Sequence, residues 1–296
     1  PETRVVIWER RDDYWDKARL PAPRYFVWSQ APKQDLSTYE WEQGNFDLGS
    51  LEAAPVRAAM QQNPFIQQYQ GLDPCPRRIA FNHTRSPLDD PAFRRALILL
   101  VDRERVVVLG DPPAYANIVP WPYDPTKGNP PEIFYRLADV ERYGVGKYDP
   151  AMAEQILDEA GYQIIDGKRV DKEGKPIQLT AITFQAQYTH WKAWADLMAE
   201  EAKKLGIDIE VRVEEVTTFV TDLPNGNFDI SFNWDCPLAF DPIATYEALM
   251  PENFRPVGEP TWGNPYRYQI SDDLKALVEQ MRIGNPDDPA TQEVYK

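Results

Sequence analysis

The stretch from residue 177 to residue 213 constrains the fold most, because its periodicity changes twice within one short segment. Ile177–Phe184 reads as a strand, and His190–Lys204 reads as a helix with Trp194, Leu197 and Met198 on its inward side. Gly206 breaks that helix, and Ile207–Val213 reads as a second strand. Strand, helix and strand in this order form a βαβ unit, which requires a right-handed crossover and parallel pairing. The fold class is therefore α/β.

The remaining segments extend this reading. Arg4–Arg10 alternates like a strand, turns at Asp12-Asp13-Tyr14-Trp15, and meets a second strand-like run at Arg24–Trp28. A helical stretch near Leu36–Glu42 closes at Gly44, and Gly44–Leu48 reads as a turn into a third short strand. Ile79–Asn82 reads as a strand. Asp90 with Pro91 makes an N-cap and first helical residue, and Phe93, Ala96, Leu97 and Leu100 supply the apolar stripe of a helix that should dock on a sheet. Residues 110–146 carry many of the 28 prolines and read as a long irregular loop of the kind that covers or lines something. Asp149-Pro150 starts a second capped helix with Ala153, Ile156, Leu157 and Ala160 on one face, ended by Gly161. A hairpin with turns at Asp166-Gly167 and Glu173-Gly174 follows. Phe228–Trp234 supplies a further strand, and Asp272–Arg282 a final amphipathic helix. No internal repeat is visible.

Composition removes several function classes. The 296 residues suit about two domains. The hydrophobic share of 43% is enough to bury a core, so global disorder is excluded. A net charge of −15 repels phosphate backbones, so nucleic acid is not an expected partner. No stretch approaches the ~18 consecutive apolar residues of a bilayer span. The chain begins inside structured sequence rather than with a basic and apolar leader, so any targeting signal is expected to be removed or to lie outside it. Cys75 and Cys236 are the only cysteines, and His83 and His190 the only histidines. Neither a zinc ribbon nor a histidine-rich metal site can be built from them, and no cofactor is expected. No nucleophile elbow, P-loop or dinucleotide fingerprint occurs.

Six segments, in order, resemble one family. Arg11-Asp12-Asp13-Tyr14-Trp15, Gly44-Asn45-Phe46-Asp47, Phe81-Asn82 with Pro87–Leu97, and Val101-Asp102-Arg103-Glu104 are similar to its lobe-one and lobe-two blocks. Tyr148-Asp149-Pro150 with Ala160-Gly161-Tyr162, and Gly226–Ile230 with Trp234, continue the series. The family is that of the family 5 extracytoplasmic solute-binding proteins, the peptide- and oligosaccharide-binding components of ABC importers. The resemblance implies a periplasmic-binding-protein-like (type II) bilobed fold, with mixed sheets and flanking helices. It assigns residues 1–74 to part of lobe one and 75–296 to most of lobe two. The usual opening segment and the final return strand to lobe one are absent, so the chain resembles an internal fragment.

The same resemblance implies a receptor that captures a small molecule between its lobes and delivers it to a permease. It acts as a monomer in the periplasm or as a cell-surface lipoprotein, with no catalytic residues. Trp234 ends a strand, where open α/β sheets place ligands, and a tryptophan at this place lines the family's cavity. Asn233 and Asp235 flank it and are expected to fix ligand edges. Asp241 is read as a helix cap. Trp121, Tyr123, Tyr188 and Trp191 are candidate stacking platforms, and Phe184, Gln185 and Gln187 follow a strand end. Each of these also has a plain reading as packing. Cys75 lies seven residues before Asn82 and Cys236 two after Trp234, as in disulfide-bonded members, so the resemblance implies a Cys75–Cys236 bridge. In the chain-entropy model so long a loop is worth up to ~5 kcal/mol. Oligopeptide binders place an aspartate after the Trp and Cys to receive the peptide's ammonium, and Leu238 stands there in this chain. A buried ammonium without a carboxylate is costly. The expected ligand is therefore an oligosaccharide, with peptide second and a nickel chelate or other small solute third. A glycoside hydrolase is the enzyme alternative, since two catalytic carboxylates leave no local signature.

Overall fold

The computed structural model of the chain describes residues 5–29, 39–40, 42–49, 60–67, 77–110, 147–184, 189–234, 249–285 and 287–295. Contacts divide the chain into two compact units, Pro1–Tyr69 and Gln70–Lys296.

In the first unit, β1 (Val5–Glu9) pairs antiparallel with β2 (Tyr25–Ser29), from Val5 opposite Ser29 to Glu9 opposite Tyr25. The turn expected at Asp12–Trp15 is present and is tied down by Arg10. Its guanidinium donates to Asp12 and to the carbonyls of Pro21 and Ala22. Asp16 caps a single 3-10 turn at Lys17–Arg19 by accepting from the amide of Ala18. Tyr39, Glu40 and Glu42 are helical, and Gly44 takes a positive φ of 74°. The third strand expected after Gly44 is not formed through residue 49. This stretch stays in turns and bends.

The second unit begins with β3 (Arg77–Phe81) and α1 (Pro91–Leu99). The Asp90 side chain accepts from the amide of Ala92, and Phe93, Ala96, Leu97 and Leu100 are all buried, as their spacing requires. A helix that the sequence reading passed over follows, α2 (Arg103–Gly110). Then come α3 (Pro150–Glu159), capped by Asp149, and the two-residue strands β4 (Ile164–Ile165) and β5 (Lys168–Arg169). The βαβ unit forms as expected: β6 (Gln178–Phe184), α4 (Thr189–Lys204) and β7 (Asp208–Glu214), with the strands parallel. A second missed helix, α5 (Val216–Asn225), leads to β8 (Ile230–Trp234). Its Pro224, at the last turn, disguises it in sequence. Last come α6 (Asp272–Ile283) and α7 (Pro289–Tyr295), the latter also unanticipated.

The main sheet has the order β3-β8-β6-β7, with β3 antiparallel to β8 and the other three parallel. Such a mixed sheet, with helices packed on it, matches the expected α/β class. Helices α1 and α3 pack against each other, and α4 packs on α2 and β7. A single core of buried residues runs through them, including Phe93, Leu97, Leu157, Ile182, Trp194, Met198 and Phe232. Each such side chain contributes ~1.5–3 kcal/mol by leaving water.

Polar groups inside this core are used as joints. Asn82, fully buried, donates to the carbonyls of Gly226 and Phe228 and accepts from the amide and hydroxyl of Thr84. Arg169, also fully buried, donates to the carbonyls of Leu205 and Tyr162 and to Asp158. A carboxylate on α4 is buried in the same way. Glu201 is only 3% exposed, because α2 brings Arg105 against it while Lys204 closes the other side.

Candidate functional site

Strands β6, β7 and β8 run parallel, so Phe184, Glu214 and Trp234 end at one edge of the sheet, and β3 starts there with Arg77 opposite Trp234. Ligands of open α/β sheets bind outside this carboxyl edge. Registers place Arg78 opposite Asn233, and Phe184 beside Glu214.

Asn233 is buried at 4% exposure. Its Nδ2 donates to the hydroxyl of Tyr266 at 3.3 Å, and its Oδ1 has no partner among the described residues. The Arg78 guanidinium lies over the Tyr266 ring, 4.8 Å from its centre. Tyr266 in turn packs on Tyr268 at 5.4 Å, and Tyr268 meets His83 edge-on at 4.7 Å. Burial dominates the titration of this cluster. It pushes the Tyr268 phenol up to about 12 and, with help from Arg94, the His83 imidazole down to about 4.

At the other side of the edge, Glu214 is buried, and one of its oxygens, Oε2, lacks a hydrogen-bond partner among the described residues. Burial, followed by the nearby Asp222, holds its carboxyl above the ordinary glutamate value, and Arg212, 3.8 Å away, offsets this only in part. Between the two sides, Phe184 packs on Trp191 at 4.9 Å and on Phe219 at 5.0 Å. Trp191 is 2% exposed, so it serves the core and offers no open stacking face. Phe184 is buried in the same cluster.

Of the residues singled out in sequence, Asn233 and the backbone of Trp234 are at this edge. Trp121, Gln185, Tyr188 and Asp235 lie outside the described residues, as do Cys75 and Cys236 with their expected bridge, and Tyr123, Gln187, Leu238 and Asp241. Sequence reasoning missed Tyr266, Arg78 and Glu214. For Glu214 a signal existed, since it ends a strand whose direction was already assigned. Tyr266 and Arg78 carried none: pairing of β3 with β8 places Arg78 opposite Asn233, and the backbone bond from His83 to the Tyr266 carbonyl brings Tyr266 to it. Among the described residues no group of histidine, cysteine and carboxylate side chains is arranged to hold a metal, and no helix is long and apolar enough to cross a membrane.

Residues 1–253 match the bacterial extracellular solute-binding proteins, family 5 (middle). The chain belongs to this family. Family 5 members are binding proteins of ABC importers found outside the cytoplasm. The chain is 30% identical over 227 residues to the oligopeptide-binding protein AppA of Bacillus subtilis, covering 75% of this chain and 39% of that protein. It is 23% identical over 254 residues to the nickel-binding periplasmic protein of Escherichia coli, covering 82% of this chain and 45% of that one. It therefore spans less than half the length of these relatives. The fold is also that of the mannohexaose-bound periplasmic oligopeptide-binding protein of Thermotoga maritima. The TM-score is 0.76 at 24% identity, over 98% of this chain and 55% of that chain. AppA in complex with a nonapeptide superposes with a TM-score of 0.78 at 20% identity, over 98% and 54%.

Proposed function

We propose that the protein is the solute-capturing receptor of an ABC importer, that its ligand is a neutral oligosaccharide, and that it hands this ligand to a membrane permease. In this reading it works outside the cytoplasm, as a monomer and without catalysis, with residues 1–74 belonging to one lobe and 75–296 to the other. The family match over residues 1–253 supports the receptor role. For the ligand, the observation that carries the choice is Leu238, which stands where peptide-binding members are expected to have an ammonium-binding aspartate. Stacking on Trp234, and on Trp121 and Tyr188, needs no ligand charge. Asn233, Asp235 and Gln185 would meet its hydroxyl groups, and the unpartnered Asn233 Oδ1 is an acceptor available for one of them. A Cys75–Cys236 disulfide would brace the two strands that enter and leave this edge.

Peptide is the second reading, favoured by the 30% identity to AppA. Native mass spectrometry of the protein as purified, with release and mass analysis of what it carries, separates the two. A ladder spaced by hexose or pentose units supports the oligosaccharide reading. A mixture of peptides reverses it and transfers the ammonium-binding role to Asp235 or Asp241. Trp234→Ala is expected to weaken binding of whatever ligand is found by about 1–3 kcal/mol, measured by titration calorimetry. Unchanged affinity would make Trp234 a core residue.

A further inference from the structure

The chain takes a left-handed backbone turn at Arg267. Arg267 has a φ of +56°, in the left-handed region that side chains avoid. Its guanidinium is buried and donates to the carbonyls of Pro224, in the last turn of α5, and Glu259. It also lies across Gly226, where an added Cβ would come within 3.2 Å of the Arg267 Nε. The turn at Arg267 brings both neighbouring tyrosines against the β3 side of the sheet. Tyr266 meets Asn233 and Arg78, and its carbonyl accepts from the amide of His83. Tyr268 packs on His83 and its amide donates to Asn264. Backbone strain persists where surrounding contacts over-determine it, and such places cluster at functional sites.

Three features converge on the Tyr266 hydroxyl. It is inside the protein, its hydrogen-bond partner is the residue before Trp234, and that partner's other amide atom has no bond among the described residues. A phenylalanine would fill the same space. We propose that Tyr266 is a positioning residue for the carboxyl end of β8: through the Asn233 amide and the Arg78 stack it sets where Trp234 leaves the sheet, and Arg267 clamps it in place. The inference rests on the reading of this edge as the ligand site. Its test uses no ligand, so it stands or fails separately from that reading.

The test is amide NMR of the intact ligand-free protein carrying Tyr266→Phe. The Asn233 side-chain amide and the Trp234 backbone amide are expected to shift, while the amides of Gln178 and Leu179 at the far end of β6 stay in place. Tyr268→Phe, which alters an adjacent buried ring without touching Asn233, is expected to leave the Trp234 signal where it was. A stationary Trp234 signal in Tyr266→Phe, or an equal shift in Tyr268→Phe, overturns the proposal. Should Tyr266→Phe not fold, Asn233→Ala removes the same bond from the other side. Because Asn233 directly precedes Trp234, this variant is read at the Arg77 amide, which lies opposite Trp234; a stationary Arg77 signal overturns the proposal equally.

Discussion

The carboxylate of Asp229, at the entry to β8, accepts the backbone amide proton of Thr180 in β6 at 2.7 Å. Its other oxygen accepts from Arg85 at 3.3 Å, and its carbonyl accepts from the amide of Asn82 at the end of β3. One residue thus joins three strands of the sheet at the edge opposite the candidate site. Asp229→Ala leaves the Thr180 amide without a partner and is expected to cost about 1–3 kcal/mol. Urea unfolding followed by circular dichroism measures it, and a loss below ~0.5 kcal/mol would show that the joint carries no weight.

His83 makes stability depend on mild acid. Its folded value of about 4 lies below the ordinary 6.5, so between these pH values the unfolded chain binds a proton that the folded chain refuses. The contribution is complete above pH 6.5 and is lost as pH falls toward 4, by up to about 3 kcal/mol. His83→Phe keeps a ring against Tyr268 and is expected to flatten this slope. Denaturation midpoints at several pH values would show it, and an unchanged slope would assign the effect to other groups.

Glu214 acts with the opposite sign. Its carboxyl is held above the ordinary value chiefly by burial, so as pH rises the unfolded chain releases its proton first and the folded state loses stability. Glu214→Gln is therefore expected to stabilise the protein at neutral pH and to give no gain below the ordinary glutamate range. A destabilised Glu214→Gln at neutral pH would mean that the charged form has a partner in the folded protein.

Gly206 has a φ of +79°, and a Cβ there would sit 2.7 Å from the backbone nitrogen of Arg169. That nitrogen donates to the carbonyl of Gly206, so the two backbones cannot separate without losing the bond. Gly206→Ala is expected to destabilise by about 2 kcal/mol or more, combining the left-handed penalty with the clash. Thermal unfolding checks this, with Gly174→Ala as the control of similar φ and open surroundings.

Legibility followed the reach of each interaction. The βαβ unit, the capped helices at Asp90 and Asp149 and the helix α6 at Asp272–Ile283 were readable because their signals lie within one turn or one strand. Helix α5 was not, because Pro224 lies inside it, even though Val216, Phe219, Val220 and Leu223 keep helical spacing. Helix α2 was not, because Arg103–Gly110 has almost no amphipathic pattern to read. At the candidate site, Trp234 was legible from the direction of its strand, whereas Tyr266 was not.

By itself, the sequence determined the α/β class, the parallel crossover from β6 to β7 and the family. Caps, breakers and periodicity act over a few residues, and the order of the family segments is written along the chain. Only the tertiary structure decided that Glu201 is buried, that β3 lies antiparallel against β8, and that Asn233 answers to Tyr266. Those outcomes depend on which distant segments meet, and neither the spacing of residues nor their type contains the register that brings Arg78, Asn233 and Tyr266 together.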